Sequence, residues 1–242
     1  MPLNVPGLLA PFQLLFRPYL LLPSLVIKDL RCLDFHVLYK AGYRGAVIDK
    51  DNCLTIPYED SLVPELKDAW EECKTVFGAE NILVVSNSAG THLDPGGIEA
   101  ESVSHHLGVP VLRHGTMKPG YACISAIRAY FASLPQPIPD SALFIVGDRI
   151  FTDVILANRM CRYTRYFPRR PAVGSIQQDK MTGASWETLS ENGRRGPLSI
   201  HVERIWQKDS TAMRYLENKL VGLVRRWNKV EVEDAHKVFV RS

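Results

Sequence analysis

Two carboxylates that follow a short apolar run are the residues of this sequence best placed to do chemistry. The run from Gly45 to Ile48 leads directly into Asp49, and Asp51 lies one residue further on. A β-branched run bounded by glycine predicts a buried strand, and alternate residues of extended backbone point to the same side. Two anions in one crevice repel each other unless a cation or a shared proton relieves them. Taken alone, the pair is equally typical of a surface turn that caps a helix.

The later polar residues favour a catalytic site over a capping turn, because they also follow apolar runs. The second run, residues 81–85, and the third, residues 142–146, predict two more buried strands. In open α/β sheets, ligands bind at the carboxyl ends of such strands. The polar residues that follow these runs or begin a helix are Ser86, Asn87, Lys118, Asp148 and Asp153. A hydroxyl, a lysine and two further carboxylates therefore stand in an order that could surround one phosphoryl group.

These segments resemble the four signature motifs of the haloacid dehalogenase (HAD) phosphatase superfamily. The segments are DKDNCLT from Asp49, VVSNSAGT from Val84, KPG from Lys118 and GDRIFTD from Gly147. Within the superfamily, the chain resembles the mitochondrial phosphatidylglycerophosphate (PGP) phosphatase family from its leucine-rich N-terminus through Phe167. The DKDNC form of the first motif is more diagnostic than a bare pair of aspartates. Commoner relatives carry threonine where this chain has a cysteine.

The resemblance implies a Mg²⁺-dependent phosphatase that works through an aspartyl-phosphate. Asp49 is then the nucleophile and a metal ligand, and Asp148 supplies a second carboxylate ligand. Asp51 would offer its backbone carbonyl to the metal and its side chain as the acid and base. Ser86 would hold phosphoryl oxygens, and Lys118 would offset their charge in the transition state. Mg²⁺ is a hard cation, for which oxygen ligands of this kind are suited.

Further residues are expected to support the site or to bind the substrate. The residues expected to support the catalytic groups are Asp153, which would orient Lys118, together with Asn52 and Asn87. Arg149, and the pair Arg113 and His114 ahead of the lysine, could face a second phosphate of the substrate. For each of them a solvated or locally paired side chain is the more common role.

Alternating strands and helices predict an α/β, HAD-like Rossmannoid domain with a parallel sheet flanked by helices. We expect helices over residues 28–41, 64–77, 98–107, 121–131 and 154–160, a short strand at 109–112 and a final strand near 162–167. HAD enzymes often carry a cap domain after the first motif or between the second and third. Neither gap here is long enough for a full cap, which predicts a capless site open to a bulky head group in a membrane.

Residues 1–27 are predicted to form a hydrophobic arm. Between Leu3 and Ile27 the only charged side chain is Arg17. A transmembrane helix needs about 20 consecutive apolar residues, and the prolines within this span argue against one straight helix. These prolines are Pro6, Pro11, Pro18 and Pro23. The arm is expected to lie in a bilayer interface or, alternatively, to pack on the domain or on a neighbouring subunit. The aromatic anchors would be Phe12, Phe16 and Tyr19.

The remaining boundaries place the catalytic domain at 28–167, a Pro-, Gly- and Arg-rich linker or insertion at 168–197, and a basic amphipathic helical region at 198–242. The apolar stripe of that region is formed by Met213, Leu216, Leu220, Leu223, Val224 and Trp227. Residues 159–242 carry 17 Lys and Arg against 9 Asp and Glu, whereas residues 1–158 carry 12 against 17. The basic tail could therefore bind anionic lipid, a partner helix or its own domain. Five cysteines without CxxC spacing favour a reduced compartment over a disulfide scaffold.

The first functional hypothesis is a peripheral enzyme on the matrix side of the mitochondrial inner membrane that converts PGP to phosphatidylglycerol, a step toward cardiolipin. The lipid substrate comes from the resemblance, helped by the hydrophobic arm and the basic tail. The alternatives are a capless HAD phosphatase for a soluble phosphomonoester and a non-catalytic lipid-binding scaffold. Nucleic-acid binding is not expected, because the basic region lacks a recognition motif. A homo-oligomer is left open.

Overall fold

The structure, a computed structural model, describes residues 17–163, 194–207, 215, 217, 219–224 and 238–241.

Five parallel strands form its central sheet. In chain order, the strands of the described residues, including two outside the central sheet, are β1 (Leu25–Ile27), β2 (Gly45–Ile48), β3 (Ile82–Val84), β4 (Leu143–Gly147), β5 (Arg162–Tyr163), β6 (Arg194–Arg195) and β7 (Leu198–Val202). The central sheet has the order β1-β7-β4-β2-β3, and β5 pairs antiparallel with β6 beside it. The predicted α/β class with a parallel, helix-flanked sheet is confirmed.

The helices cover both faces of this sheet. They are α1 (Phe35–Lys40), α2 (Lys67–Phe77), α3 (Ile98–Leu107), α4 (Tyr121–Ser133) and α5 (Ile155–Met160), which a π-helical turn, Ile150–Val154, precedes. The predicted helices at 64–77, 98–107 and 121–131 are confirmed. The helix predicted at 28–41 is shorter: a 3-10 turn at Leu30–Cys32 comes first, and Asp34 then caps α1 by accepting from the Val37 N–H.

The core has two layers because successive strand residues point to opposite faces. On one face Ile48, Val84 and Phe144 pack against α1, α2 and α3. On the other face Val47 and Ile145 pack against α4 and α5. Strands β2, β3 and β4 are buried along their whole length. A parallel strand covered on both sides is apolar throughout, which explains why these three runs could be predicted.

The domain extends beyond the boundaries predicted from the sequence. The strand expected near 162–167 is the short β5, which lies outside the central sheet. Its place is taken by β7, which pairs with both β1 and β4. This strand comes from the region 198–242 that we predicted to be helical, of which the described residues 215, 217 and 219–224 are helical. Strand β1 itself belongs to the predicted arm. The strand predicted at 109–112 is reduced to a single bridge between Val84 and Val111.

The described parts of the arm and of the tail pack on the domain. Leu20 and Leu21 of the arm and Val221 and Val224 of the tail are buried in one cluster with residues 150–155. Glu217 is also buried, and its Oε1 accepts from the Phe151 N–H at 3.3 Å. For these residues, the packing alternative holds.

The rest of both predictions lies outside the described residues. This applies to Phe12, Phe16 and the prolines Pro6 and Pro11 of the arm, to residues 168–193 of the predicted linker, and to Met213, Leu216 and Trp227 of the tail stripe. In the part of the chain that the structure describes, no helix has the length and apolar character needed to cross a bilayer.

Candidate active site

The loops that follow β2, β3 and β4 meet at the carboxyl edge of the sheet. The Asp49 N–H donates to the Val146 carbonyl at 2.9 Å, and the Val85 N–H donates to the Ile48 carbonyl at 3.0 Å. The parallel ladder thus continues one residue past each strand. These backbone bonds hold Asp49 at the centre of the edge, between β4 and β3.

Three buried carboxylates converge there. Oxygen atoms of Asp49, Asp148 and Asp153 all lie within 4.8 Å of one another, and their residues are 9%, 1% and 3% exposed. Burial, and then the neighbouring Asp153 carboxylate, raise the pKa of Asp49 well above its ordinary value. A concentration of hard oxygen donors with excess negative charge fits a divalent cation such as Mg²⁺. Asp153, expected only to support the site, contributes a carboxylate to this cluster.

Lys118 lies between two of these carboxylates. Its Nζ is 2.6 Å from Asp49 Oδ1 and 2.7 Å from Asp153 Oδ1, and the side chain is 2% exposed. Burial alone would lower the pKa of Lys118, but Asp153 and Asp49 outweigh it and raise that pKa above its ordinary value. The lysine is therefore charged at neutral pH. The structure places Lys118 in contact with Asp153, and the orienting role expected of Asp153 stays a prediction.

Asn87 fixes the backbone of Lys118. The Asn87 Oδ1 accepts from the Lys118 N–H at 2.7 Å, and its Nδ2 lies 3.5 Å from the Lys118 carbonyl. The loop after β3 and the loop that carries the lysine are thus joined by one amide side chain. The supporting role expected of Asn87 stays a prediction.

The loop after β4 folds tightly around the Asp153 carboxylate. Asp153 Oδ2 accepts from the Thr152 hydroxyl at 3.0 Å and from the Arg149 N–H at 3.2 Å. A Cβ on Gly147 would lie 2.1 Å from the Asp153 Cβ, so only glycine fits at the end of β4. Sequence reasoning gave Thr152 no role.

The loop after β2 is held by Asn52. Its backbone has φ 62°, in the left-handed region that asparagine tolerates better than most residues. The buried Asn52 side chain accepts from the Trp206 and Gln207 N–H groups at 3.2 Å each. The segment after β7 is thereby tied to the loop between Asp49 and Cys53, and the supporting role expected of Asn52 stays a prediction.

Ser86 is buried at the end of β3. Its Oγ accepts from the Ser88 N–H at 3.0 Å and lies 3.1 Å from the Ser88 Oγ. His114 contacts the backbone of the same loop, with Nε2 3.0 Å from the Ser86 carbonyl and Nδ1 2.7 Å from the Thr116 carbonyl. Burial lowers the pKa of His114. The histidine is thus built into the loop, and its role toward the substrate stays a prediction.

The two arginines proposed for the substrate differ in position. Arg113 pairs with Glu101 at 2.9 Å, and both side chains are exposed, at 61% and 79%. Arg149 is half-buried directly beside Asp148. Arg113 therefore has the local pairing named as its more common role, whereas Arg149 is adjacent to the carboxylate cluster. Substrate binding by either one stays a prediction.

Two further residues of the site were missed in the sequence. The Lys50 side chain is 0% exposed, and its Nζ lies 3.1 Å from Glu99 Oε1 and 3.2 Å from Asp51 Oδ1. A lysine between two aspartates at the end of a buried strand is itself a signal, because a buried ammonium needs partners. Nothing in the sequence pointed to Glu99 as that partner.

A parallel α/β sheet with an aspartate cluster and a lysine at its carboxyl edge is the arrangement expected of an HAD-type phosphatase. Comparison with known proteins narrows this class. The profile of the family described as "Mitochondrial PGP phosphatase" matches residues 5–168. The chain therefore belongs to the mitochondrial PGP phosphatase family, and it is an enzyme of the phosphatase class.

Named relatives agree with this assignment. The mitochondrial phosphatidylglycerophosphatase of Saccharomyces cerevisiae is 35% identical over 161 residues, which cover 66% of this chain and 85% of the relative. The chloroplastic/mitochondrial PGP phosphatase 1 of Arabidopsis thaliana is 37% identical over 159 residues, 65% of this chain and 44% of the relative. The chloroplastic enzyme of Chlamydomonas reinhardtii is 41% identical over 141 residues, 58% of this chain and 50% of the relative. The match thus spans about half the length of the plant and algal relatives. No solved structure has significant similarity to the chain.

Proposed function

We propose that the protein is a Mg²⁺-dependent phosphatase that removes the terminal phosphate of PGP and leaves phosphatidylglycerol, a step toward cardiolipin. The observation that carries the proposal is the position of Lys118, whose Nζ lies 2.6 Å from Asp49 and 2.7 Å from Asp153 within a buried carboxylate cluster. A carboxylate nucleophile next to a fixed cation is what attack on a phosphate dianion requires. The names of the relatives support the choice of substrate.

Asp49 and Asp148, with the backbone carbonyl of Asp51, would hold the Mg²⁺ ion. When bound, the ion neutralises charge on the phosphoryl oxygens and on the attacking carboxylate. Asp153 lies in the same cluster and also holds Lys118. The excess of carboxylates over lysine supports a divalent cation in this place.

In the first displacement, the Asp49 carboxylate attacks phosphorus and the bond from phosphorus to the glycerol oxygen breaks. The Asp51 side chain gives its proton to that departing oxygen. Asp49 Oδ1 accepts from the Lys50 N–H at 2.8 Å as well as from Lys118, and these contacts orient the carboxylate for attack. Ser86 and the backbone amides after it hold the phosphoryl oxygens.

In the second displacement, water attacks the phosphorus of the aspartyl-phosphate. Asp51 takes the proton from this water, inorganic phosphate leaves, and the Asp49 carboxylate is restored. Lys118 offsets the negative charge that develops on the phosphoryl oxygens in both steps. The half-buried position of Asp51 suits a group that exchanges protons with the leaving group and with water.

The site is further proposed to be capless and to work on a membrane surface. A bulky lipid head group needs an open entrance, and the hydrophobic arm and basic tail are suited to an anionic bilayer. We place the enzyme on the matrix side of the mitochondrial inner membrane as a peripheral protein. The mitochondrial names of the yeast relatives support the mitochondrion as the compartment.

The test compares lipid and soluble substrates. Phosphate release is measured from PGP in liposomes and from a short-chain phosphomonoester, each with Mg²⁺ and with EDTA. We expect Mg²⁺-dependent release that follows liposome surface and is weak for the soluble ester. Efficient turnover of the soluble ester together with no release from PGP would instead support a phosphatase for soluble phosphomonoesters.

A further inference from the structure

A chain of partly buried polar contacts runs from helix α3 into the candidate site. Glu99, at the start of α3, accepts from the Ser88 hydroxyl at 2.9 Å through Oε1. The Ser88 Oγ lies 3.1 Å from the Ser86 Oγ, and the Ser88 N–H donates to that same Ser86 oxygen at 3.0 Å. Glu99 is thus two hydrogen bonds away from the hydroxyl proposed to hold a phosphoryl oxygen.

The charge of Glu99 sets the direction of these bonds. An ionised carboxylate only accepts, so Ser88 must donate its one hydroxyl hydrogen to Glu99. The Ser86 hydroxyl then donates to Ser88 when no phosphoryl group is present. Because the Ser88 N–H also holds the Ser86 oxygen, the oxygen stays in place when the Ser86 hydrogen turns toward a phosphoryl oxygen.

Lys50 is the cationic partner of the Glu99 carboxylate, and it also lies near two other carboxylates, Asp51 at 3.2 Å and Asp60 at 3.8 Å. Its ammonium is fully buried, 3.1 Å from Glu99 Oε1, and it also donates to the Glu59 carbonyl at 3.1 Å. A buried ammonium is costly unless it is paired and hydrogen-bonded. Lys50 therefore holds the Glu99 carboxylate against the loops after β2 and β3.

We propose that Glu99 is a positioning residue of the reaction, which fixes the Ser86 hydroxyl through Ser88 while Lys50 balances its charge. The proposal rests on the proposed function, because it assigns Glu99 a part in holding the phosphoryl group. Glu101 provides a matched control. It lies on the same turn of α3, but it is exposed and pairs with Arg113 on the surface.

The first experiment compares Glu99→Gln, Ser88→Ala and Glu101→Gln in the full chain. We expect kcat on PGP liposomes to fall roughly 10- to 100-fold in the first two variants, the range for residues that orient catalytic groups. The KM should rise by no more than about 10-fold, the loss expected for phosphate binding alone, because binding of the lipid body is unaffected. Glu101→Gln should keep the wild-type rate. Ser88→Ala keeps the Glu99–Lys50 pair, so it tests the same link even if Glu99→Gln folds poorly.

The double variant tests whether Glu99 acts through Ser88. If it does, Glu99→Gln with Ser88→Ala should be no slower than the slower single variant. Effects of the two changes that multiply would mean separate roles, and they would overturn the proposal. Wild-type rates in both single variants would overturn it as well.

Binding of inorganic phosphate separates this proposal from the proposed function. Calorimetric titration with phosphate in Mg²⁺ should show roughly 10-fold weaker binding for Glu99→Gln and Ser88→Ala and no change for Glu101→Gln. Removal of a negative charge would by itself tighten anion binding, so weaker binding of Glu99→Gln identifies positioning. If the wild type binds phosphate but hydrolyses no phospholipid, the proposed function fails. The phosphate affinities of the variants then still test the positioning role of Glu99. A wild type that does neither overturns both.

Discussion

Lys118 lies between the carboxylates of Asp49 and Asp153, with its ammonium nitrogen 2.6 and 2.7 Å from one oxygen of each. A buried charge in this position lowers the repulsion within the cluster, and in the proposed mechanism it offsets charge on the phosphoryl oxygens. The positive charge of Lys118 should weaken binding of a metal cation to the cluster, whereas it should speed the proposed reaction. Substitution of this one side chain can therefore separate them.

We predict that Lys118→Met lowers kcat by roughly 100- to 1000-fold, as for other fixed groups that stabilise a developing anion. Mg²⁺ should bind as tightly as in the wild type or more tightly, because the cluster is then more negative. Phosphate release and calorimetric Mg²⁺ titration measure the two effects. The matched control is Lys67→Met at the exposed start of α2, which should change neither. A folded Lys118→Met that keeps its rate, or that no longer binds Mg²⁺, would contradict this assignment.

At the residue scale, the types and order of the site residues could be predicted from the sequence. Asp49, Ser86 and Asp148 each follow an apolar run, and parallel strands bring their carboxyl ends to one edge. The contact between Lys50 and Glu99 could not be predicted, because it joins a strand end to a helix that no local pattern relates to it. The position of Asp153 within the carboxylate cluster depends on the tight π-helical turn, and no sequence pattern predicts that turn.

At the element scale, Asp94 connects the loop after β3 to the start of α3. Its Oδ2 accepts from the Gly90 and Ala100 N–H groups, and its Oδ1 accepts from the Glu99 N–H, each at 2.9 Å. Burial would raise the pKa of Asp94, but these backbone bonds outweigh it and lower that pKa below the ordinary value. The ionised carboxylate thus satisfies helix N–H groups that would otherwise lack an acceptor.

We predict that Asp94→Asn lowers the free energy of unfolding at pH 7 by roughly 1–3 kcal/mol, because the amide nitrogen cannot accept. Since the pKa is lowered in the folded state, the stabilisation is present above about pH 4 and is lost as the pH falls through the folded pKa. Thermal unfolding of both proteins across this range should therefore converge in acid. Asp68→Asn, in the exposed first turn of α2, is the control. A difference that stays constant down to pH 2 would contradict the account.

The strands differ in how well the sequence predicts them. Strands β2, β3 and β4 are buried along their whole length. A strand that is buried on both faces is a continuous apolar run, and such a run can be recognised in the sequence. In β7, Ser199 and His201 alternate with apolar residues, and the strand follows a long segment without periodicity. Its assignment depends on pairing with β1 and β4, which are far away in the sequence.

At the scale of the whole molecule, described segments on both sides of residues 28–167 complete the catalytic domain. The Ser24 N–H donates to the Ser199 carbonyl, and the Glu203 N–H donates to the Ile27 carbonyl, which joins β1 to β7. Near the C-terminus, Phe239 is 1% exposed, and its carbonyl accepts from the Asp34 N–H. The site therefore depends on segments outside the residues 28–167 that the sequence pattern favoured.

We predict that a chain ended after residue 167 does not fold cooperatively. Loss of β7 would leave β1 without a partner and expose the edge of β4, including Phe144 and Val146. Unpaired strand edges and exposed apolar surface favour aggregation. Soluble yield and thermal unfolding by circular dichroism, with the full chain as the control, test this. Cooperative unfolding of the shortened chain at the full-length Tm would show that β7 is dispensable.

We infer that Asp49, within its cluster of carboxylates, is the nucleophile of a Mg²⁺-dependent phosphatase. The most direct test of this role is phosphate release from PGP liposomes over a Mg²⁺ titration, for the wild type and for Asp49→Asn. We predict release by the wild type that rises with Mg²⁺ and is abolished by EDTA, and no release above background by Asp49→Asn at any Mg²⁺ concentration. A folded Asp49→Asn that releases phosphate at the wild-type rate, or a wild type equally active in EDTA, would contradict the claim.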